Sequence, residues 1–165
     1  MLLNHIIKHG LFFTVIVNGY LFILMITMSP RVWGYRDYPE VVKQKVPPQT
    51  KKEKALAGIV GLPWFIFVLG FPVVSTYMLK SNLGDEISFF KAFLNIYVLF
   101  SFATVGDLVI LDWLIISKIT PRFVIIPGTE VRDYKDFSHH YKGHAKAAIL
   151  LIPLSLIIAA IVLYI

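Results

Sequence analysis

No cysteine occurs among the 165 residues. That excludes disulfides, thiolate metal sites, iron–sulfur clusters and covalent c-type haem attachment. Charge is scarce as well: Asp, Glu, Lys and Arg make up 16% of the chain, against 57% hydrophobic residues and a mean hydropathy of +0.72. This balance excludes an ordinary soluble domain and places the chain in the membrane class. The sequence also lacks a P-loop, a Rossmann glycine pattern, a nucleophile elbow and an H-E-x-x-H pair. The adjacent Ser138 and His139 do not make a catalytic dyad, because neighbouring helical residues diverge by about 100°.

Long apolar runs are what the chain does have. A helix needs about 20 predominantly apolar residues to cross a hydrocarbon core of roughly 30 Å. Residues 5–28, 55–79, 89–117 and 145–165 each meet that requirement. The expected fold is an all-α integral membrane protein, a four-helix bundle of transmembrane helices forming one membrane domain over residues 1–165. The first run is long and ends at Ser29-Pro30-Arg31 without a small-residue cleavage pattern, so it reads as a retained helix and not as a signal peptide. Residues 80–88, with Asp85 and Glu86, read as a short polar turn.

Two longer polar loops remain, residues 29–54 and 118–144. Lys and Arg number seven in residues 29–54 and six in 118–146, leaving Lys8, Lys80 and Lys91 for the other side. By the positive-inside rule both loops are cytoplasmic and both termini extracytoplasmic, in a multi-pass protein of the cell membrane. The net charge of +6 then marks contact with anionic lipid headgroups of the bilayer, and no nucleic-acid partner is expected. Trp33, Tyr35 and Tyr38 suit the headgroup layer. Residues 39–45 can form a short surface helix begun by Pro39, and Thr50 with Glu53 has the signature of a capping box.

The halves resemble each other. Ser29-Pro30-Arg31 matches Thr120-Pro121-Arg122, and Arg36-Asp37-Tyr38 matches Arg132-Asp133-Tyr134. Each half would be a helical hairpin, giving two parallel repeats.

The most distinctive stretch is residues 129–146, which holds His139, His140 and His144. Placed on one helix, Asp133, Asp136, His140 and His144 share a face, the basic residues a second, and Val131, Tyr134, Phe137 and Tyr141 a third. Such a helix, capped by Thr129, would lie at the interface and join the fourth span near Gly143. Imidazole and carboxylate groups at this spacing suit a divalent metal, Zn, Fe or Mn, or acid–base chemistry. The competing reading is a solvated amphipathic face whose acids and histidines are satisfied by neighbouring Lys and Arg.

Intramembrane acids are expensive and normally face a partner or a wet cavity. Asp112 lies near the cytoplasmic end of the third span, at the depth where His140 and His144 enter the fourth. Asp112, His140 and His144 are therefore the candidate catalytic residues, and Asp112, Asp136, His140 and His144 the candidate metal ligands. Lys118 pairing is the alternative for Asp112. Asp107 is expected in the bundle interior, with Asn18 or Thr104 as partner. On an α-helix it diverges from Asp112 by about 140°, so the two need not share a site. His5 and His9 read as a hydrated first turn, and a bis-histidine haem within one subunit is disfavoured. Three function classes follow: a membrane-embedded enzyme or metal-binding protein, a structural or accessory subunit of a larger membrane complex, and a small transporter working as a homo-oligomer.

Overall fold

The computed structural model describes residues 1–83 and 87–164. Asp85, Glu86 and Ile165, named in the expected turn and fourth span, lie outside the described residues. Among the described residues the structure is helical without strands. Four helices are long and apolar enough to cross a membrane: α1 (Leu2–Thr27), α4 (Lys51–Asn82), α5 (Phe89–Gly106) with its continuation to Ile119, and the last helix, α6 (Phe137–Tyr164). Two short helices, α2 (Pro30–Trp33) and α3 (Glu40–Lys45), lie between the first two long ones.

Local chemistry explains most of these boundaries. Ser29 caps α2 with Pro30 at its first position, where a missing N–H leaves nothing unsatisfied. Pro39 precedes α3, and Glu40 in the first turn with Lys43 and Lys45 in the last complements the helix dipole. Thr50 and Glu53 form the expected reciprocal capping box at the start of α4.

The helices pack around an apolar centre that includes Phe13, Val17, Leu79, Ile96, Leu99 and Phe100. The Phe13 and Phe71 rings stack at 5.2 Å. In a bilayer, close backbone approach and interhelical hydrogen bonds hold helices together, since burial against lipid-like surroundings adds little. The α1–α5 pair uses both. Asn18 Nδ2 donates to the Ala103 carbonyl at 3.2 Å. A Cβ on Gly106 would stand 2.6 Å from Thr14 Cγ2 and 2.9 Å from Asn18 Nδ2, so the crossing requires glycine there. Gly106→Val should therefore destabilise the bundle by about 1–3 kcal/mol, the usual cost of overpacking. Gly61→Val, with open space around its Cβ, is the control. A lowered unfolding midpoint in detergent for the first variant and none for the second is the expected result.

The two polar loops fold together into a cap at one end of the bundle. Its interior holds Tyr38, Val42, Val46, Val124, Ile126 and Tyr134. Tyr38 is fully buried and donates its hydroxyl to the Val124 carbonyl at 2.8 Å, so it does not face headgroups as expected. The Tyr38 and Tyr134 rings meet edge to face at 5.1 Å. Tyr134 accepts the Ile126 N–H at 2.9 Å, and Lys45 Nζ lies 2.6 Å from the buried Asp133 carboxylate. Beyond the matched Pro-Arg pairs the two loops take different paths: Tyr38 leads into the α-helix α3, whereas Arg132-Asp133-Tyr134 forms a 3-10 turn.

One expectation needs correcting here. Residues 130–146 are not one helix. Val131–Tyr134 is a separate 3-10 turn, and α6 begins only at Phe137, from which it runs unbroken past Gly143 to Tyr164. Asp133 is drawn off by Lys45 and by the Glu130 N–H. Asp136 accepts from the Ser138 N–H at 3.0 Å and caps the start of α6.

Candidate metal and acid–base site

The third span changes its winding where the acids lie. α5 is an ordinary α-helix to Gly106, and from Asp107 to Ile119 the chain is a π-helix. In an α-helix, residues five apart diverge by about 140°. A π-helix bonds i to i+5 and turns by roughly 80° per residue, so residues five apart come back to within about 50° of one another. Asp107 and Asp112 thus project to the same side. The wide segment ends at Thr120, which is left-handed (φ 52°) and whose N–H reaches the Ile115 carbonyl at 2.8 Å.

α6 supplies the facing groups. His140 and His144 are one α-turn apart and so lie on one side of that helix, about 40° from each other. His144 Nε2 is 2.8 Å from Asp112 Oδ2 and 3.8 Å from Asp107 Oδ2. His140 Nδ1 is 3.1 Å from the same Asp112 oxygen. The sequence-predicted trio of Asp112, His140 and His144 is therefore brought together. Asp136 is not: it is exposed just before the start of α6, bonded to Ser138.

Three of these side chains fit a metal ion. One ligand atom each from Asp107, Asp112 and His144 all lie within 4.8 Å of one another. Around a tetrahedral ion with bonds of about 2.1 Å, neighbouring ligand atoms stand about 3.4 Å apart, so movements of roughly 1 Å close the shell. His140 has a different role. Its Nδ1 stands 3.1 Å from the Asp112 carboxylate, a position from which a partner can orient a metal ligand. Its side chain is 3% exposed, and its Nε2 is buried without a hydrogen-bond partner.

A cavity of about 520 Å³ opens beside the four residues. Asp37 stands at its rim on the first loop. One side of Asp37 is open, but the protein crowding the rest, and then the negative charge of Asp112, push its carboxyl above the ordinary range. The backbone carbonyl of Asp37 meets His139 Nε2 at 3.1 Å, tying the cap to the start of α6.

Several expectations resolve differently. Lys118 does not pair with Asp112; its ammonium lies 5.0 Å from the Trp113 ring centre. Asn18 binds backbone carbonyls of Thr14 and Ala103, and Thr104 makes no bond to Asp107, whose Oδ2 lies 3.8 Å from His144 Nε2. His5 is no hydrated turn: its Nε2 lies 3.0 Å from the Ser75 carbonyl on α4, and its ring stacks on His9 at 3.8 Å. What sequence reasoning missed was Asp107 as a member of the site. The available signal was the presence of two acids in one apolar span, which asks for a shared partner. No protein-family model, curated protein or solved structure matches this chain.

Proposed function

We propose that this is a membrane-embedded protein that binds a divalent metal through Asp107, Asp112 and His144 and carries out metal-assisted acid–base chemistry at the cytoplasmic interface. One observation carries the reading: the π-helix aims two acids at two histidines of α6, with ligand atoms within bonding reach of a common ion. Zn, Mn and Fe accept this mixture of one imidazole and two carboxylates. Three protein ligands would leave positions open, and an ion held there would supply Lewis acidity and lower the pKa of a bound water. His140 holds Asp112 through Nδ1 and keeps a buried Nε2 without a partner.

The cytoplasmic placement rests on charge. The loops that form the cap carry most of the Lys and Arg, thirteen of sixteen through residue 146, and the positive-inside rule directs that end to the cytoplasm and to anionic headgroups. Equilibrium dialysis of the detergent-purified protein against Zn, Mn and Fe(II), followed by elemental analysis, tests the reading. About one ion per chain, retained after desalting, is expected from the three-ligand set. Failure of all three metals to bind above background removes it.

A further inference from the structure

We infer that the ligand of this site is an amphiphile drawn from the lipid phase, with a phosphate-bearing head in the cavity and its chain in an apolar groove beside it. This deepens the metal reading and rests on it for the position of the head.

The cavity lining is mixed. Asp107, Asp112, His140 and His144 share it with an apolar wall of residues that includes Leu21, Met25, Leu111, Ile116 and Ala147. Its volume of about 520 Å³ lies within the range of small-molecule sites. A wholly water-borne substrate gains nothing from that apolar wall, which a partly apolar one would cover.

A second hollow, of about 240 Å³, lies between the third span and α6. It is lined almost entirely by apolar groups, among them Val105, Leu108, Ala145, Ala148 and Leu151. Val105 and Tyr141 at its edge are more than half exposed, on the surface that four membrane-crossing helices turn toward lipid. His144 lines both spaces. A chain lying in the groove therefore begins beside His144, the residue that faces the two acids.

The head is identified by what surrounds it. Trp33, Trp64, Arg36 and Asp37 line the cavity beside the site. The Arg36 guanidinium can only donate, and a divalent ion held by Asp107 and Asp112 would take phosphate oxygens readily. Donors and a Lewis acid together call for an oxygen-rich, anionic head, and phosphate is the headgroup chemistry a bilayer supplies.

The test uses full-length protein in phosphatidylcholine nanodiscs, Mn-loaded, in a Trp113→Phe background that removes an exposed indole and whose metal content is first matched to that of the unsubstituted chain. Trp33 and Trp64 fluorescence is titrated with dioleoyl phosphatidic acid, glycerol 3-phosphate and dioleoylglycerol, and metal content is measured on each sample. Phosphatidic acid is expected to bind at least about tenfold more tightly than either fragment, since head and chain sites are linked. Ala148→Phe should abolish that preference while leaving metal content unchanged, with Ala148→Leu as a milder plug. Equal affinity for glycerol phosphate overturns the inference in favour of a soluble phosphate compound. Equal affinity for dioleoylglycerol overturns the phosphate assignment. Lipid preference without bound metal supports the amphiphile and sinks the metal reading; neither lipid preference nor metal sinks both.

Discussion

His144→Ala is expected to abolish stoichiometric metal binding, weakening affinity by more than about 100-fold, the upper end of what outer-shell changes produce. His144 is the only imidazole of the three-ligand set, and its Nε2 faces both acids, at 2.8 Å and 3.8 Å. Asp112→Ala should match it, because that carboxylate holds both histidines. His140→Ala should be milder, in the range of about 10–100-fold, since His140 orients a ligand and does not supply one. Asp136→Ala should leave affinity unchanged, because Asp136 only caps α6. Isothermal titration with Zn or Mn on the four purified variants reads this order directly. Equal losses for His140 and His144 would make His140 a ligand; a loss for Asp136→Ala would undo the assignment of the cap.

Tyr134→Ala should cost about 3–5 kcal/mol, the usual loss for truncating a large buried aromatic. The ring is fully buried in the cap, packed edge to face on Tyr38. Its hydroxyl also accepts the Ile126 N–H and meets Thr129 Oγ1 at 2.7 Å. Tyr134→Phe keeps the ring and leaves that N–H unsatisfied, which should cost about 1–3 kcal/mol. Denaturant unfolding in detergent, followed by Trp33 fluorescence, measures both. Because the cap also carries Trp33, Arg36 and Asp37 to the rim of the cavity, the alanine variant should weaken ligand binding more than metal binding. Equal stability of wild type and Tyr134→Ala would show that the cap contributes nothing to the fold.

The four long apolar helices are legible in the sequence because the length and composition that a bilayer would require are rarely met in other settings. The capping box at Thr50 was legible because its two partners are local. Asp112 and the histidine pair could be joined by depth alone: each lies near the same end of its span. Asp107 is not joined to them by a helix period of 3.6, which turns it about 140° away from Asp112; the actual winding is wider. Asp133 and Asp136 were misplaced for a related reason. No glycine or proline separates them from His140, yet each acid finds a better local partner, Lys45 in one case and the Ser138 N–H in the other. The cap itself left no periodic trace, since its contacts, such as Tyr38 with Val124, join residues far apart in the chain.

The wide helix has a thermodynamic consequence. Two acids five residues apart meet only in that winding; rewound as an α-helix, Asp112 swings roughly 90° away from Asp107. An ion that bridges them binds one helical register and not the other, and binding free energy becomes torsional free energy in the backbone. By reciprocity, anything that favours the tighter register weakens the ion's hold by the same factor. A substitution anywhere from Asp107 to Ile119 can then act on the site without touching it. With an ion bound, the winding from Asp107 to Ile119 and the pair of carboxylates would be linked in this way.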